Sequence, residues 1–438
     1  MLMKMIAERR GTKAADWLLF ALFMLVTLAA PLFWLFGNRP AFLEQENRYR
    51  AEWRSPTAQT LFDGSWGASV ERWLADNLPA REAFVGIYAY WRYGTGRQRA
   101  EDVFFDGRGM LIEAPARLDG ADLDRRLDKI CDFAETTGLR ATLLIPPTAG
   151  YSAKAHLPRY LWEGYHDDAV FAAARVRLGG GTADGLADDS TADGLVGGAV
   201  GLVDLRDVFL NSDEPLFYRT DHHWNMRGAY RAYAALGPAL GFTPRAAGDY
   251  DIEPHAGFRG STYSRSGLWL TRGDEIELWR AANAVGGVSS GASGEADDTS
   301  GTGAAASSGS AVQNAGSAAP RFRVTLSDAA GEVSDDMFFT SRLAEKDQYL
   351  VYLDGNHPLT VVENLSIAEG ETLIVVKDSY ANSLATLLAE HYKNLVLVDL
   401  RYYRREVSAL AKEWNADDIL FVYSVEHIVN DADLLWLR

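Results

Sequence analysis

Residues 371–391 read ETLIVVKDSYANSLATLLAEH, an apolar run of strand length, a polar break and a helix-length apolar stretch. The β-branched run Glu371 to Val376 favours an extended chain buried on both faces. Asn382 to His391 returns to apolar residues at helical spacing, so KDSYANS is a strand-to-helix turn. A serine there projects its hydroxyl from the sheet edge, beside a helix N-terminus whose backbone N–H groups stabilise developing negative charge. Ser379 is the candidate nucleophile of that turn. Read locally it serves equally well as a helix cap, and Ser383, one turn inside the helix, is a weaker competitor.

Working outward, the same alternation recurs. Helices are predicted at Leu123–Thr137, Met226–Leu236 and Tyr403–Lys412, and strands at Ala141–Ile145, Gly201–Asp204, Leu395–Val398 and Ile419–Tyr423. Short apolar strands separated by helices give an α/β fold whose mainly parallel sheet is covered on both faces. Ligands in such sheets sit beyond the carboxyl ends of the strands, which directs attention to the residues after Ile145, Val376 and Tyr423.

A serine needs a base to become nucleophilic. Thr220-Asp221-His222-His223-Trp224-Asn225 supplies one, just before the predicted helix from Met226. The bland reading is capping by Asp221 or Asn225 with the histidines packed nearby. Against it, a chain with only eight histidines has set two beside an acid and a tryptophan. That pattern suits an imidazole base, His223, oriented by a carboxylate, Asp221. A metal site from Asp221, His222 and His223 ranks below this triad, because no second ligand cluster is evident. No cofactor is implied. Gly355-Asn356-His357-Pro358 reads as a turn on composition, while an asparagine amide at such a position can also donate to an oxyanion.

With 60 acidic against 43 basic residues the chain carries a formal charge of -17. That balance disfavours nucleic acid as a partner and fits a neutral or acyl-bearing substrate. The single cysteine, Cys131, excludes an internal disulfide. Trp17 to Phe36, WLLFALFMLVTLAAPLFWLF, is an uncharged apolar run of 20 residues. As a helix it would span about 30 Å, the thickness of a bilayer core. Lys4, Arg9, Arg10 and Lys13 precede it, so the expected arrangement is a cytoplasmic N-terminus, a single-pass anchor in the cell membrane and an extracytoplasmic main domain. A cleaved signal peptide is the rival, but Phe33, Trp34 and Phe36 continue the apolar character where a cleavage site should lie.

The organisation expected is therefore an anchor over 1–37, a helical membrane-proximal region over 38–102 and the α/β domain over 103–438. In the second part Trp73, Leu74, Leu78, Phe84, Ile87, Tyr88 and Trp91 form an apolar stripe, read as simple packing. Pro79 breaks one helix and starts the next. VFFDGRGMLIE at Val103 is a hairpin around Asp106-Gly107 that opens the main domain. Two stretches interrupt that domain, 178–200, with TADGL twice, and the Gly/Ser/Ala-rich 286–319. Both are read as disordered insertions, too poor in large apolar side chains to fold alone.

TDHHWN at Asp221, GNHP at Gly355, KDSYANS at Ser379 and VDLRYY at Val398 resemble the DHHW family of bacterial proteins, and the likeness extends from the ENR at Glu46 to the last strand. That family is similar to the SGNH-hydrolase-like proteins of alginate O-acetylation, which carry Asp-x-His followed much later by serine. The resemblance implies a three-layer SGNH-hydrolase-like (flavodoxin-like) domain with a circularly permuted motif order. It also implies an O-acetyltransferase or acetyl esterase site in which Asp221 orients, His223 is the base and Ser379 the nucleophile. Asn356, Arg401, Tyr380 and His222 are the oxyanion or substrate-binding candidates. The partners implied are a polysaccharide acceptor of the cell envelope or an exopolysaccharide, and an acetyl donor delivered by a membrane-bound O-acyltransferase. A non-catalytic scaffold or glycan-binding protein of envelope assembly is the reading from another class.

Overall fold

The computed structural model describes residues 16–25, 27–29, 32, 36, 37, 41–43, 45–100, 102–106, 108–179, 195, 196, 200–282, 320–327 and 331–438. The expected cytoplasmic N-terminus and the 286–319 insertion lie outside these residues, as does most of 178–200. Of the apolar run, residues 17–25 and 27–29 are helical. Among the described residues no helix is long and apolar enough to cross a membrane.

After a two-residue strand pair, Phe42–Leu43 with Arg48–Tyr49, and a short helix at Ala58–Phe62, come α1 (Ser65–Asp76) and α2 (Arg81–Gly94), then a hairpin of β1 (Val103–Phe105) and β2 (Leu111–Glu113). Helix α3 (Gly120–Thr137) starts where the Asp119 carboxylate accepts from the N–H groups of Ala121 and Asp122, and it ends at Gly138. Next come β3 (Arg140–Ile145), α4 (Asp167–Leu178), β4 (Val200–Asp204) and α5 (Met226–Leu240). A long antiparallel pair, β5 (Tyr250–Phe258) and β6 (Asp274–Ala281), brackets the short helix α6 (Ser261–Ser266). Strands β7 (Phe322–Leu326), β8 (Glu332–Ser334) and β9 (Leu359–Asn364) follow. The chain closes with β10 (Thr372–Lys377), α7 (Ala381–Leu388), β11 (Asn394–Val398), α8 (Val407–Glu413), β12 (Asp418–Val422) and α9 (Val425–Asn430).

One sheet organises the molecule, in the order β8-β7-β9-β11-β10-β12-β3-β4, with the two-residue strand Leu195–Val196 beyond β4. The five strands β11-β10-β12-β3-β4 are parallel, and both edges are antiparallel. The sheet is thus mainly parallel at its centre, as the sequence pattern predicts. Alternation along β10 sends Leu373 and Val375 to a core packed by α5 and α7, and Ile374 and Val376 to a core packed by α3, α4 and α8. All four are fully buried. At about 25 cal/mol per Å² of apolar area, such two-sided burial is what sets β10 at the centre of the sheet.

The apolar stripe of α1 and α2 departs from its expected role. Leu74, Leu78, Phe84, Ile87, Tyr88 and Trp91 are exposed rather than packed. Helix α2 reaches the main body through its other face, where Gly86 lies against Trp269. A Cβ at Gly86 would stand 2.8 Å from Trp269 Cδ1, so only glycine permits this approach. Trp269 Nε1 donates to Glu82 O at 2.9 Å and Leu270 N to Tyr90 Oη at 2.8 Å.

Candidate active site

At the carboxyl end of β10 the chain turns through Asp378. Its carboxylate accepts from Tyr380 N at 2.9 Å and from Ser424 N at 2.7 Å, so Asp378, not Ser379, satisfies the turn and ties it to the segment after β12. The Ser379 hydroxyl is left for another partner. It donates to His223 Nε2 at 2.7 Å.

His223 arrives from the loop between β4 and α5. That loop is closed by an antiparallel bridge between Phe217 and Trp224, and Asn225 caps α5 by accepting from Gly228 N at 3.0 Å. The Trp224 indole N–H donates to Tyr380 O at 3.2 Å and Ser383 Oγ at 3.0 Å, fastening the loop to the nucleophile turn. Ser383 is thereby committed to the indole, with Tyr349 Oη a further 3.3 Å away.

Asp221 orients the imidazole through Oδ1, which accepts from His223 Nδ1 at 2.6 Å and from His223 N at 2.9 Å. Its Oδ2 accepts from Ser261 N at 2.7 Å, the first turn of α6. The approach depends on Gly260, because a Cβ there would lie 2.1 Å from Asp221 Oδ2. The His223 ring lies parallel to that of Tyr349, with centroids 4.0 Å apart and 6° between planes. His222 flanks it at 3.8 Å, holds Ser261 Oγ 2.6 Å from its Nδ1, and keeps a partly exposed ring.

Burial alone would raise the Asp221 carboxyl, but His222, His223 and the N–H donors outweigh it and hold it below the usual carboxylate range. Burial, reinforced by His222, pushes His223 down to about 4 against the pull of Asp221. Near neutral pH the imidazole is therefore neutral. It donates through Nδ1 and offers the Nε2 lone pair to the Ser379 proton, which is the chemistry of serine activation.

The other candidates are placed as follows. Asn356 Oδ1 accepts from Lys377 Nζ at 2.9 Å and from Asn382 Nδ2, in the first turn of α7, at 3.2 Å. Its own NH₂ is thus directed away from both donors. The turn that presents it runs through Leu353, Asp354 and Gly355 with φ of 56°, 58° and 87°. Left-handed backbone costs a residue such as leucine about 1–2 kcal/mol, so Leu353 is held under strain beside Asn356, whereas aspartate at 354 is a residue type that visits this region. Arg401 pairs with Asp399 at 2.9 and 2.6 Å, and Asp399 lies 3.9 Å from Lys377 Nζ, so Arg401 reaches the site through that chain and not by contact with Ser379. Tyr380 is buried and donates from Oη to His222 O at 2.5 Å, supporting the histidine loop from beneath. Asp221, His222 and His223 also form a group able to hold a metal ion among the described residues, although Asp221 Oδ1 is already committed to two N–H groups of His223.

Sequence reasoning missed Tyr349, the Gly260-Ser261 clasp and Lys377. The first two sit in stretches with no motif. Lys377 did carry a signal, a charge closing a fully apolar strand directly before the nucleophile. It is 1% exposed, and burial pushes its ammonium down to about 8 although Asp399 favours the charge.

The α/β fold, with Ser379, His223 and Asp221 brought together at the carboxyl edge of its mainly parallel sheet, is an SGNH-hydrolase-like fold. A family model described as SGNH hydrolase-like domain, acetyltransferase AlgX, matches residues 180–256, which contain Asp221 and His223 but not Ser379. Among solved structures, Bacillus cereus PatB1 with a sulfonyl adduct is similar at TM-score 0.56 and 18% identity, over 77% of this chain and 98% of that one. A DHHW family protein from Eubacterium siraeum is similar at TM-score 0.55 and 17% identity, over 76% and 96%. No curated protein matches the chain. At these identities the likeness to the solved structures establishes the fold. The chain resembles the DHHW family and the SGNH-like acetyltransferases, as its motifs imply.

Proposed function

We propose that this is a membrane-anchored, extracytoplasmic acyl-transfer protein that moves acetyl groups onto hydroxyls of a cell-surface or secreted polysaccharide. The observation that carries this reading is the continuous Ser379–His223–Asp221 hydrogen-bond chain, at 2.7 and 2.6 Å. In the proposed cycle His223 Nε2 takes the Ser379 proton as Oγ bonds to the acetyl carbonyl carbon. The tetrahedral intermediate then breaks its bond to the donor's leaving atom, which departs with the proton from His223. An acceptor hydroxyl next gives its proton to His223 and attacks the acetyl-serine, and Ser379 leaves as the alcohol by taking that proton back.

The oxyanion would be met by donors that have no partner among the described residues, the Ser379 backbone N–H and the Asn356 NH₂, with Lys377 polarising the Asn356 carbonyl. Anchoring rests on the apolar run at 17–36 with cations before it. A membrane-bound O-acyltransferase that hands over the acetyl group is the proposed partner.

A sulfonyl fluoride probe at low molar excess tests the nucleophile, since it reacts fastest with an activated serine hydroxyl. PatB1 has been solved with a sulfonyl adduct. The expected result is one adduct, mapped by peptide mass to Ser379 and lost in His223→Ala. Labelling elsewhere, or labelling that survives His223→Ala, would refute the assignment. Turnover of a chromogenic acetyl ester with and without an oligosaccharide then separates the outcomes. Acetylated oligosaccharide identifies a transferase, acetate alone an esterase, and neither, with every donor and partner supplied, a scaffold.

A further inference from the structure

Helix α2 leaves Phe84, Ile87, Tyr88 and Trp91 exposed at 54, 66, 54 and 55%. They stand at i, i+3, i+4 and i+7, one continuous apolar face of a helix whose opposite face is already docked on Trp269. From this geometry we infer that the α2 face is a bilayer-docking surface, taking the headgroup and upper acyl region of a membrane with anionic lipid.

Three further observations favour lipid as the occupant. The face carries Tyr88 and Trp91, whose amphipathic rings suit the headgroup level. Arg92 stacks over Tyr88 at 5.6 Å and Arg97 over Trp91 at 5.8 Å, and no acidic residue occurs from Ala83 to Ala100, in a chain of net charge -17. Cations gathered on aromatic rings match lipid phosphates and repel nothing there. Finally, Gln45 N donates to Glu82 Oε1 at 3.2 Å, so the start of α2 is tied to a point nine residues past Phe36. An extended chain of that length reaches about 30 Å, which keeps α2 within reach of any bilayer that holds 17–36. This third point rests on the anchor reading; the first two do not.

The surface also bears on the site. Helix α6 gives Ser261 N to Asp221, and the chain leaving it gives Trp269 to α2. The docked face and the acid of the proposed triad therefore hang on one short stretch.

The test uses the full chain in a Cys131→Ser background, with single cysteines Leu25→Cys, Ile87→Cys or Glu413→Cys carrying an environment-sensitive fluorophore. Each protein is reconstituted in vesicles of phosphatidylcholine with phosphatidylglycerol, with and without spin-labelled lipid. The expected result is lipid quenching and a blue shift at 87 and none at 413. Quenching at 87 but not at 25 supports the docking face while overturning the anchor. Quenching at 25 but not at 87, or at neither, overturns the docking face. Disulfide-linked dimers of the unlabelled Ile87→Cys protein, formed under oxidant in the same vesicles, would overturn it in favour of a second copy.

Discussion

The fold treats two helices written in apolar residues in opposite ways. In α7 every residue from Ala381 to Leu388 is buried, whereas α2 keeps only Gly86 and Ala89 inside and shows five large apolar side chains to the exterior, four of them on one face. Sequence period identifies which face of a helix is apolar but not what covers it. For α7 the cover is the central sheet and α5. For α2 nothing among the described residues covers the stripe, so the same kind of pattern marks a core in one place and a surface in the other.

The sharpest way to press this contrast is at the head of α7, where burial and chemistry meet. Ser379→Ala, His223→Ala and the double variant are each expected to lose about 10³-fold or more in acetyl ester turnover, without adding. His222→Ala should lose much less. Within α7, Leu384→Ala removes a fully buried side chain and should cost about 2–5 kcal/mol in urea unfolding. Asn356→Ala should lower kcat about 10²-fold with little change in KM, because its amide is expected to act on the oxyanion and not on bound substrate.

The pH profile gives a smaller effect with a definite sign. Turnover requires neutral His223, so activity should fall only as pH drops through about 4. Because His222 helps push His223 down, His222→Gln should move that limb upward. The smallest effect belongs to α2. Replacing Phe84, Ile87 or Trp91 by serine should change stability in detergent-free solution by no more than about 0.5 kcal/mol each. A loss comparable to Leu384→Ala would mean that the stripe is core after all and would collapse the comparison.

What the sequence disclosed divides along physical lines. The parallel strands were readable because two-sided burial writes itself as unbroken apolar runs, as in LIVV of β10. Ser379, His223 and Asp221 were readable because each lies in a local pattern at the end of an element. The β5–β6 pair was not read, since Tyr250–Phe258 is mostly exposed and its residues alternate weakly. Tyr349 and Ser261 reach the site by tertiary approach alone, and no local rule selects one tyrosine among 19. Gly260 shows the same limit, for its absent Cβ has meaning only once Asp221 stands opposite.

The turn before Asn356 sets a bound on how this chain can vary. Glycine at Leu353 would relieve its left-handed backbone, yet the side chain there is 1% exposed and packed in the core with Tyr349 and Tyr352. Trading it for glycine exchanges strain for a cavity, and any β-branched residue would deepen the strain. Asp354 is held by Arg342, 2.5 Å from its carboxylate. Position 353 therefore offers few neutral replacements, so in a library randomised across 353–356 the folded members should keep a large apolar side chain without β-branching at 353 while admitting glycine or asparagine at 354.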